Sequence, residues 1–297
     1  MRAGHASRTA EYNALFRALE SSLPERRRLF ADPLARAFLT APLALVARFA
    51  GAPGLRALVP WIIDHRWPGV RTSVVARTRF IDDVIAAGFE RPPQQFVVLG
   101  AGFDTRAYRL PALRDSTVFE VDHPDTQAWK RRALGGALHA PPANVRFVGL
   151  DFSRDTLDSV MPAAGYRDDV RTLFLWEGVT NYLTEAAVDT TLRWCGRAAP
   201  DSVLLFTYVH RDILTRPQTF VGTDRLFAAL DRAGERFTFG IEPSELREFL
   251  AVRGLVLESD VGAAEYRERY WKAAARRMHG HEFYRVAVAR VGRCAPR

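Results

Sequence analysis

FVVLGAGFDTRAYRL, residues 96–110, carries the reading from which the fold follows. Residues 96–99 form a continuous valine-rich apolar run. It is too short for a helix and suits a strand buried on both faces of a parallel sheet. The run ends in Gly100, Ala101 and Gly102. Glycine tolerates positive φ and has no Cβ, so a ligand can approach the backbone closely. A strand closing on two glycines is also an ordinary tight βα turn, and the spacing alone does not separate the two.

The next strand does more. VFEV, residues 118–121, ends at Asp122, about 20 residues past the turn. An acid there accepts hydrogen bonds from both ribose hydroxyls of an adenosine lying over the first strand. Alternation puts Glu120 on the same face as Asp122, so only position relative to the strand end favours Asp122. A cap on the helix beginning near Pro124 is the other role open to Asp122.

Outward from this pair the chain divides into three stretches. Residues 1–93 carry helical patterns at 8–19, 32–39 and 70–87, with no convincing strand. Residues 94–208 alternate strand and helix, with strands at 96–99, 118–121, 145–148, 172–176 and 203–208 and helices beginning near Pro124, Asp155 and Thr184. That alternation means a doubly wound parallel sheet. After an irregular charged stretch at 210–240 come a helix at 243–252, a strand at 255–259, a helix at 264–278 and a last strand at 282–289. The expected fold is α/β: a Rossmann-like, seven-stranded, mostly parallel sheet with an antiparallel last strand. Residues 1–93 would form a helical lid, and 94–297 a cofactor-binding core with a lid insertion at about 210–240.

Composition narrows the class. The 297 residues are 48% hydrophobic and 26% charged, ordinary for a globular enzyme. No signal-peptide pattern opens the chain, and no segment offers the roughly 18 uncharged apolar residues of a membrane span. A cytoplasmic protein without a membrane partner is expected. Cys195 and Cys294 have neither disulfide-framework nor zinc spacing, and no metal is expected. The net charge of +8 is spread as arginine along the whole chain among acids, and its densest cluster, Arg26-Arg27-Arg28, has no interleaved aromatics, which does not suit nucleic acid.

Five ordered blocks make the reading specific: ARTRFIDD (76–83), VVLGAGFDTRAYRL (97–110), FEVDHPDTQAWKRRAL (119–134), VGLDF (148–152) and LFLWEGVTNYL (173–183). With LFRALESSLPERRRLFADPLA (15–35), they resemble the leucine carboxyl methyltransferase family of class I S-adenosylmethionine-dependent enzymes, in particular its bacterial branch acting on small molecules. The resemblance implies that Arg77 grips the methionine carboxylate, with two parallel hydrogen bonds available to a guanidinium. It places Gly100, Ala101 and Gly102 against the methionine part, Asp122 on the ribose, and Asp151 on the adenine amino group with Phe152 beside it. Glu177 would face the methionine ammonium, and Tyr182 the same end of the cofactor. Solvated helix-face charge for Arg77, a helix cap for Asp151 and a core position for Tyr182 are the plainer roles of these residue types. Asp104, Thr105, Arg106 and Arg109 read as structural, with Arg106 or Arg109 paired to Asp104.

The implied reaction transfers a methyl group from S-adenosylmethionine, leaving S-adenosylhomocysteine, to a carboxylate or hydroxyl of a small molecule, a secondary metabolite. A carboxylate nucleophile is ionised at neutral pH and needs no base. A phenol or alcohol would use one, and the candidate catalytic groups are His210, beyond the fifth strand, and Tyr182. Two other classes stand beside this one. A cofactor-binding regulator would keep the same residues; a nicotinamide-dependent oxidoreductase would need the third glycine that GAGFDT lacks.

Overall fold

The computed structural model describes residues 8–52, 54–87, 93–138, 140–151 and 154–292. Seven strands form one sheet: β1 (Gln95–Leu99), β2 (Thr117–Asp122), β3 (Val145–Gly149), β4 (Thr172–Trp176), β5 (Val203–Val209), β6 (Leu255–Gly262) and β7 (Tyr284–Val291). Their order is β3-β2-β1-β4-β5-β7-β6. Strands β1 to β5 are parallel neighbours, and β7 runs antiparallel to both β5 and β6.

The apolar runs explain the layering. Every residue of β1, β4 and β5 is buried. Val97 and Leu99 join the core on one face, with Phe119, Phe174 and Trp176; Phe96 and Val98 join the core on the other, with Val118, Leu173 and Leu175. Burying each such side chain stabilises by about 1.5–3 kcal/mol, so the alternation holds the strand in register between two helical layers.

Twelve helices surround the sheet among the described residues: α1 (Arg8–Ser21), α2 (Ala41–Phe49), α3 (Leu55–Arg66), α4 (Val70–Ala87), α5 (Arg106–Arg109), α6 (Pro124–Gly135), α7 (Leu157–Val160), α8 (Glu185–Gly196), α9 (Asp212–Thr215), α10 (Thr223–Ala233), α11 (Leu246–Ala251) and α12 (Ala263–Trp271). Besides α2 and α3, which no expected helix covers, three stretches differ from expectation. The helix expected at 32–39 is a single 3-10 turn, Ala35–Phe38, because Asp32 spends its carboxylate on the amides of Leu34 and Ala35 and on Thr105. The stretch 210–240, expected irregular, contains α10, in which Leu226, Phe227 and Leu230 recur at helical spacing between the left-handed Gly222 and Gly234. The last long helix stops at Trp271, where Lys272 takes a positive φ of 49°.

Close packing also fixes one glycine far from the turn. A Cβ on Gly196 would lie 2.0 Å from the Arg253 carbonyl oxygen, which a side chain cannot escape by changing rotamer. Gly196→Ala is expected to cost about 1–3 kcal/mol through forced backbone displacement, read as a lower urea midpoint.

Candidate functional site

The sheet order sets the polar residues in a row. The loops after β3, β2, β1, β4 and β5 carry Asp151, Asp122, the glycine turn, Glu177 and His210, all along the carboxyl edge. The crossing direction reverses between β1 and β4, and such a switch point opens a crevice beyond the strand ends. A separate groove of about 400 Å³, bounded by Gly196, Gly254 and Leu255, lies at the opposite end of the sheet.

The turn binds Asp122 directly. Gly102 N–H donates to Asp122 Oδ2 at 2.5 Å, and His123 N–H donates to Oδ1 at 2.6 Å. Burial pushes the Asp122 carboxyl up, and the two amides partly offset this. The helix-cap role belongs chiefly to His123, whose ring nitrogen accepts from Asp125 N–H at the start of α6. Glu120 is accounted for elsewhere: Lys130 reaches it at 2.8 Å, with both side chains almost wholly buried. Of the two acids on that face, Asp122 is the one left at the edge.

The two glycines differ. Gly100 has φ +66°, and a Cβ there would lie 2.6 Å from Val179 Cγ2, so the residue makes room for the loop after β4. Gly102 has φ +40°, and its Cβ would meet nothing closer than 3.8 Å. The open backbone is therefore at Gly102, while Gly100 serves packing on that side.

Asp151 follows β3, its neighbour Leu150 donating to the Asp122 carbonyl at 2.9 Å. Its carboxylate takes the exposed Arg154 at 2.9 Å. It does not cap α7; Thr156 does, in a reciprocal pair with Ser159. Phe152 lies outside the described residues.

Glu177 is held by two buried arginines. Arg77 Nε donates to Oε1 at 2.8 Å and Arg106 Nη1 to Oε2 at 2.7 Å. Burial alone would raise the carboxyl, yet Arg106 and Arg77 hold it down at about 2. Arg77 comes from α4, with its guanidinium 5.1 Å from the Tyr284 ring centre. Its Nε edge is used by Glu177, which leaves the terminal edge for an incoming anion. Arg79, two positions on, turns to Asp83 at 2.7 Å instead.

Arg106, expected to be structural and paired with Asp104, is the hub of a wider network. Besides Glu177 it meets Asp82 at 2.8 Å and the Asp104 carboxylate, and Arg109 shares Asp82 at 2.6 Å. The N-terminal helices join the same network. Arg17 on α1 donates to the Phe103 carbonyl at 2.6 Å, and Thr105 donates to Asp32 at 2.7 Å. The glycine loop is thus tied from above by residues more than seventy positions earlier in the chain.

Tyr182 and His210 sit on the other side of Glu177. Burial pushes the Tyr182 phenol well above its usual value; it hydrogen-bonds with Thr9 of α1, and its ring meets Phe237 edge-on at 5.5 Å. A phenol so placed can donate a hydrogen bond but is a poor base. His210 Nδ1 accepts from Asp212 N–H at 3.1 Å, and Nε2 lies 3.6 Å from Glu242. Ligand atoms of His210, Asp212 and Glu242 fall within 4.8 Å of one another. However, Asp212 is engaged by Arg216 at 2.6 Å and the imidazole already uses Nδ1, so the set does not form an open metal cage.

One residue was missed altogether. His281 is 4% exposed, stacks on Phe283 at 4.9 Å and keeps an Nε2 with no hydrogen-bond partner. Burial, with Arg77 adding to it, pushes its imidazole down to about 4. Its ring partners Phe283 and Tyr284 lie within GHEFY itself, but the Arg77 charge comes from α4, and nothing local marks the burial.

A family model described as leucine carboxyl methyltransferase matches residues 10–196. A Parafrankia protein named as a candidate S-adenosyl-L-methionine-dependent methyltransferase is 36% identical over 66% of this chain and 61% of its own length. A similarly named Streptomyces coelicolor protein is 33% identical over 70% of this chain and 71% of its own. The chain thus aligns with less than two thirds of the Parafrankia relative. Among solved structures, that of a candidate methyltransferase from Thermobifida fusca superposes with a TM-score of 0.58 at 17% identity, covering 94% of each chain. A DUF574 family protein from Streptomyces avermitilis gives 0.52 at 15% identity, over 93% of this chain and 96% of its own. Both share the fold.

Proposed function

The chain belongs to the leucine carboxyl methyltransferase family, and from that premise we propose that it moves the methyl group of S-adenosylmethionine to an oxygen of a small molecule. The observation that carries this reading is the row of groups on one edge: Asp122 bound to the open Gly102, with Asp151 on one side and Glu177 with Arg77 on the other. The residues fit the cofactor in kind. A carboxylate, a backbone free of Cβ and a guanidinium with one edge unused suit a ribose, a close-lying thioether chain and a carboxylate respectively.

When bound, S-adenosylmethionine supplies a methyl carbon already activated by the adjacent sulfonium. The chain's own work is then positioning and exclusion of water. Asp122 would orient the ribose, Asp151 with Phe152 the adenine, and Arg77 and Glu177 the two charged ends of the amino acid part. Gly100 and Ala101 would support that end from the turn. Tyr182 would donate to the acceptor side, with α1 and the segment after α10 closing over it through Thr9 and Glu235 at 2.6 Å. A carboxylate acceptor needs no proton removed; a hydroxyl acceptor would use His210, whose ring is held between Asp212 and Glu242. A secondary metabolite is the proposed acceptor, and residues 1–93 are the proposed lid.

Calorimetry and a mass-detected methyl-transfer screen test this. S-adenosylhomocysteine should bind and NADH should not, and a carboxylic acid or phenol should gain one methylene in mass. Asp122→Ala should weaken homocysteine-nucleoside binding by about 1–3 kcal/mol, roughly 5- to 150-fold, through loss of a charged acceptor. An unchanged affinity would remove Asp122 from the ribose; binding of NADH alone would end the methyltransferase reading.

A further inference from the structure

Seven of the twelve large apolar side chains that stand exposed among the described residues fall between positions 45 and 67. Six of them lie on α2 and α3, which pack on one core cluster through Ala47 and Ile63, with Ala50 just past α2. The opposite sides of both helices therefore face outward together. Leu45 and Phe49 form one stripe, and Leu58, Trp61 and Ile62 the other, with Phe49 52% and Trp61 62% exposed. Trp67 follows at the end of α3, with the Arg66 guanidinium 5.9 Å from its ring centre.

The charge carried by the hairpin itself has one sign, with Glu11 of α1 at its edge, its carboxylate on the Thr40 amide at 2.7 Å. Arg48, Arg56 and Arg66 are exposed around the stripes, and the single acid between positions 41 and 67, Asp64, is bound by Arg71 at 2.9 Å. Two-fold pairing with a second copy would set these arginines against themselves, with no free acid within the hairpin to answer them. An anionic bilayer answers both features. Tryptophan favours the level of the headgroups, an apolar stripe enters the acyl boundary, and arginines meet the negative surface potential.

We infer that the α2–α3 hairpin is a docking surface for anionic lipid bilayers. This departs from the expectation of no membrane partner, which rested on the lack of a span. No described helix is long and apolar enough to cross a membrane, and peripheral docking requires none.

The test is cosedimentation of the full chain with vesicles of phosphatidylcholine alone and of phosphatidylcholine mixed equally with phosphatidylglycerol. Binding to the mixed vesicles and little to the neutral ones is expected, weakening as salt rises. Phe49→Ser with Trp61→Ser should lower the binding tenfold or more while leaving the melting curve in place, since both side chains are exposed. Arg48→Glu with Arg56→Glu should also lower it, by roughly fivefold for each cation removed or more. Absence of binding to either vesicle, or variants that bind as well as the parent, would overturn the inference. So would a dimer in sedimentation velocity that Phe49→Ser dissociates, because the face would then belong to a second copy.

Discussion

Replacing Arg106 with leucine is expected to destabilise the protein by about 3–5 kcal/mol and to lower its melting temperature by on the order of 10 °C. The side chain is 2% exposed and bridges Asp82, Asp104 and Glu177. Removing it leaves three carboxylates in a buried site, with Arg77, Arg109 and the more distant Lys130 to answer them, and an uncompensated buried charge is far costlier than the pair was worth. The carboxyl of Glu177, held near 2 by Arg106 and Arg77, would rise toward its ordinary value. Arg106→Lys keeps the charge but cannot reach three partners from one planar fork, so its loss should be intermediate. Chemical unfolding of the three proteins at neutral pH measures this. A leucine variant as stable as the parent would show that the remaining cations suffice.

His281 predicts a pH effect of similar size. Its imidazole is pushed from 6.5 down to about 4 in the folded protein. Between those values the unfolded chain binds a proton that the folded one refuses, so the contribution is whole above pH 6.5 and is lost as pH falls toward 4. A shift of that span is worth about 3 kcal/mol. Glu120 and Asp122, whose carboxyls are raised, work in the opposite direction, so the comparison must be with a variant. His281→Phe preserves the stack on Phe283 and removes the titration. Urea unfolding should find it comparable to the parent near neutrality and more stable by about 3 kcal/mol near pH 4; parallel curves would mean that the imidazole protonates freely in the fold.

The parts that could be read from the sequence are those whose cause is local. Residues 96–99 and 118–121 announce strands because a short apolar run bounded by glycine or an acid has few other uses, and the strands of the structure begin or end within a residue or two of these limits. The helical hairpin at 41–66 was not visible. Pro60 lies inside α3, Gly51 and Gly54 interrupt the pattern, and the apolar stripes face solvent rather than the core, so the usual periodicity argument had nothing to hold. The helix α10 is less legible for a different reason: Asp224, Arg225, Asp231 and Arg232 crowd its short apolar spacing of Leu226, Phe227 and Leu230.

The sequence by itself determined the sheet, the glycine turn, the acids at the strand ends and the family, since each depends on residues close together or on blocks in fixed order. Only the tertiary structure set Glu120 in a buried ion pair with Lys130 from α6 and left Asp122 at the strand edge. It alone set Arg106 beside Glu177, 71 positions away, and His281 near Arg77, over two hundred positions away. Charge and burial act through space: a carboxylate's partner and an imidazole's solvent are fixed by which helices the packing brings together, and local pattern carries no record of that.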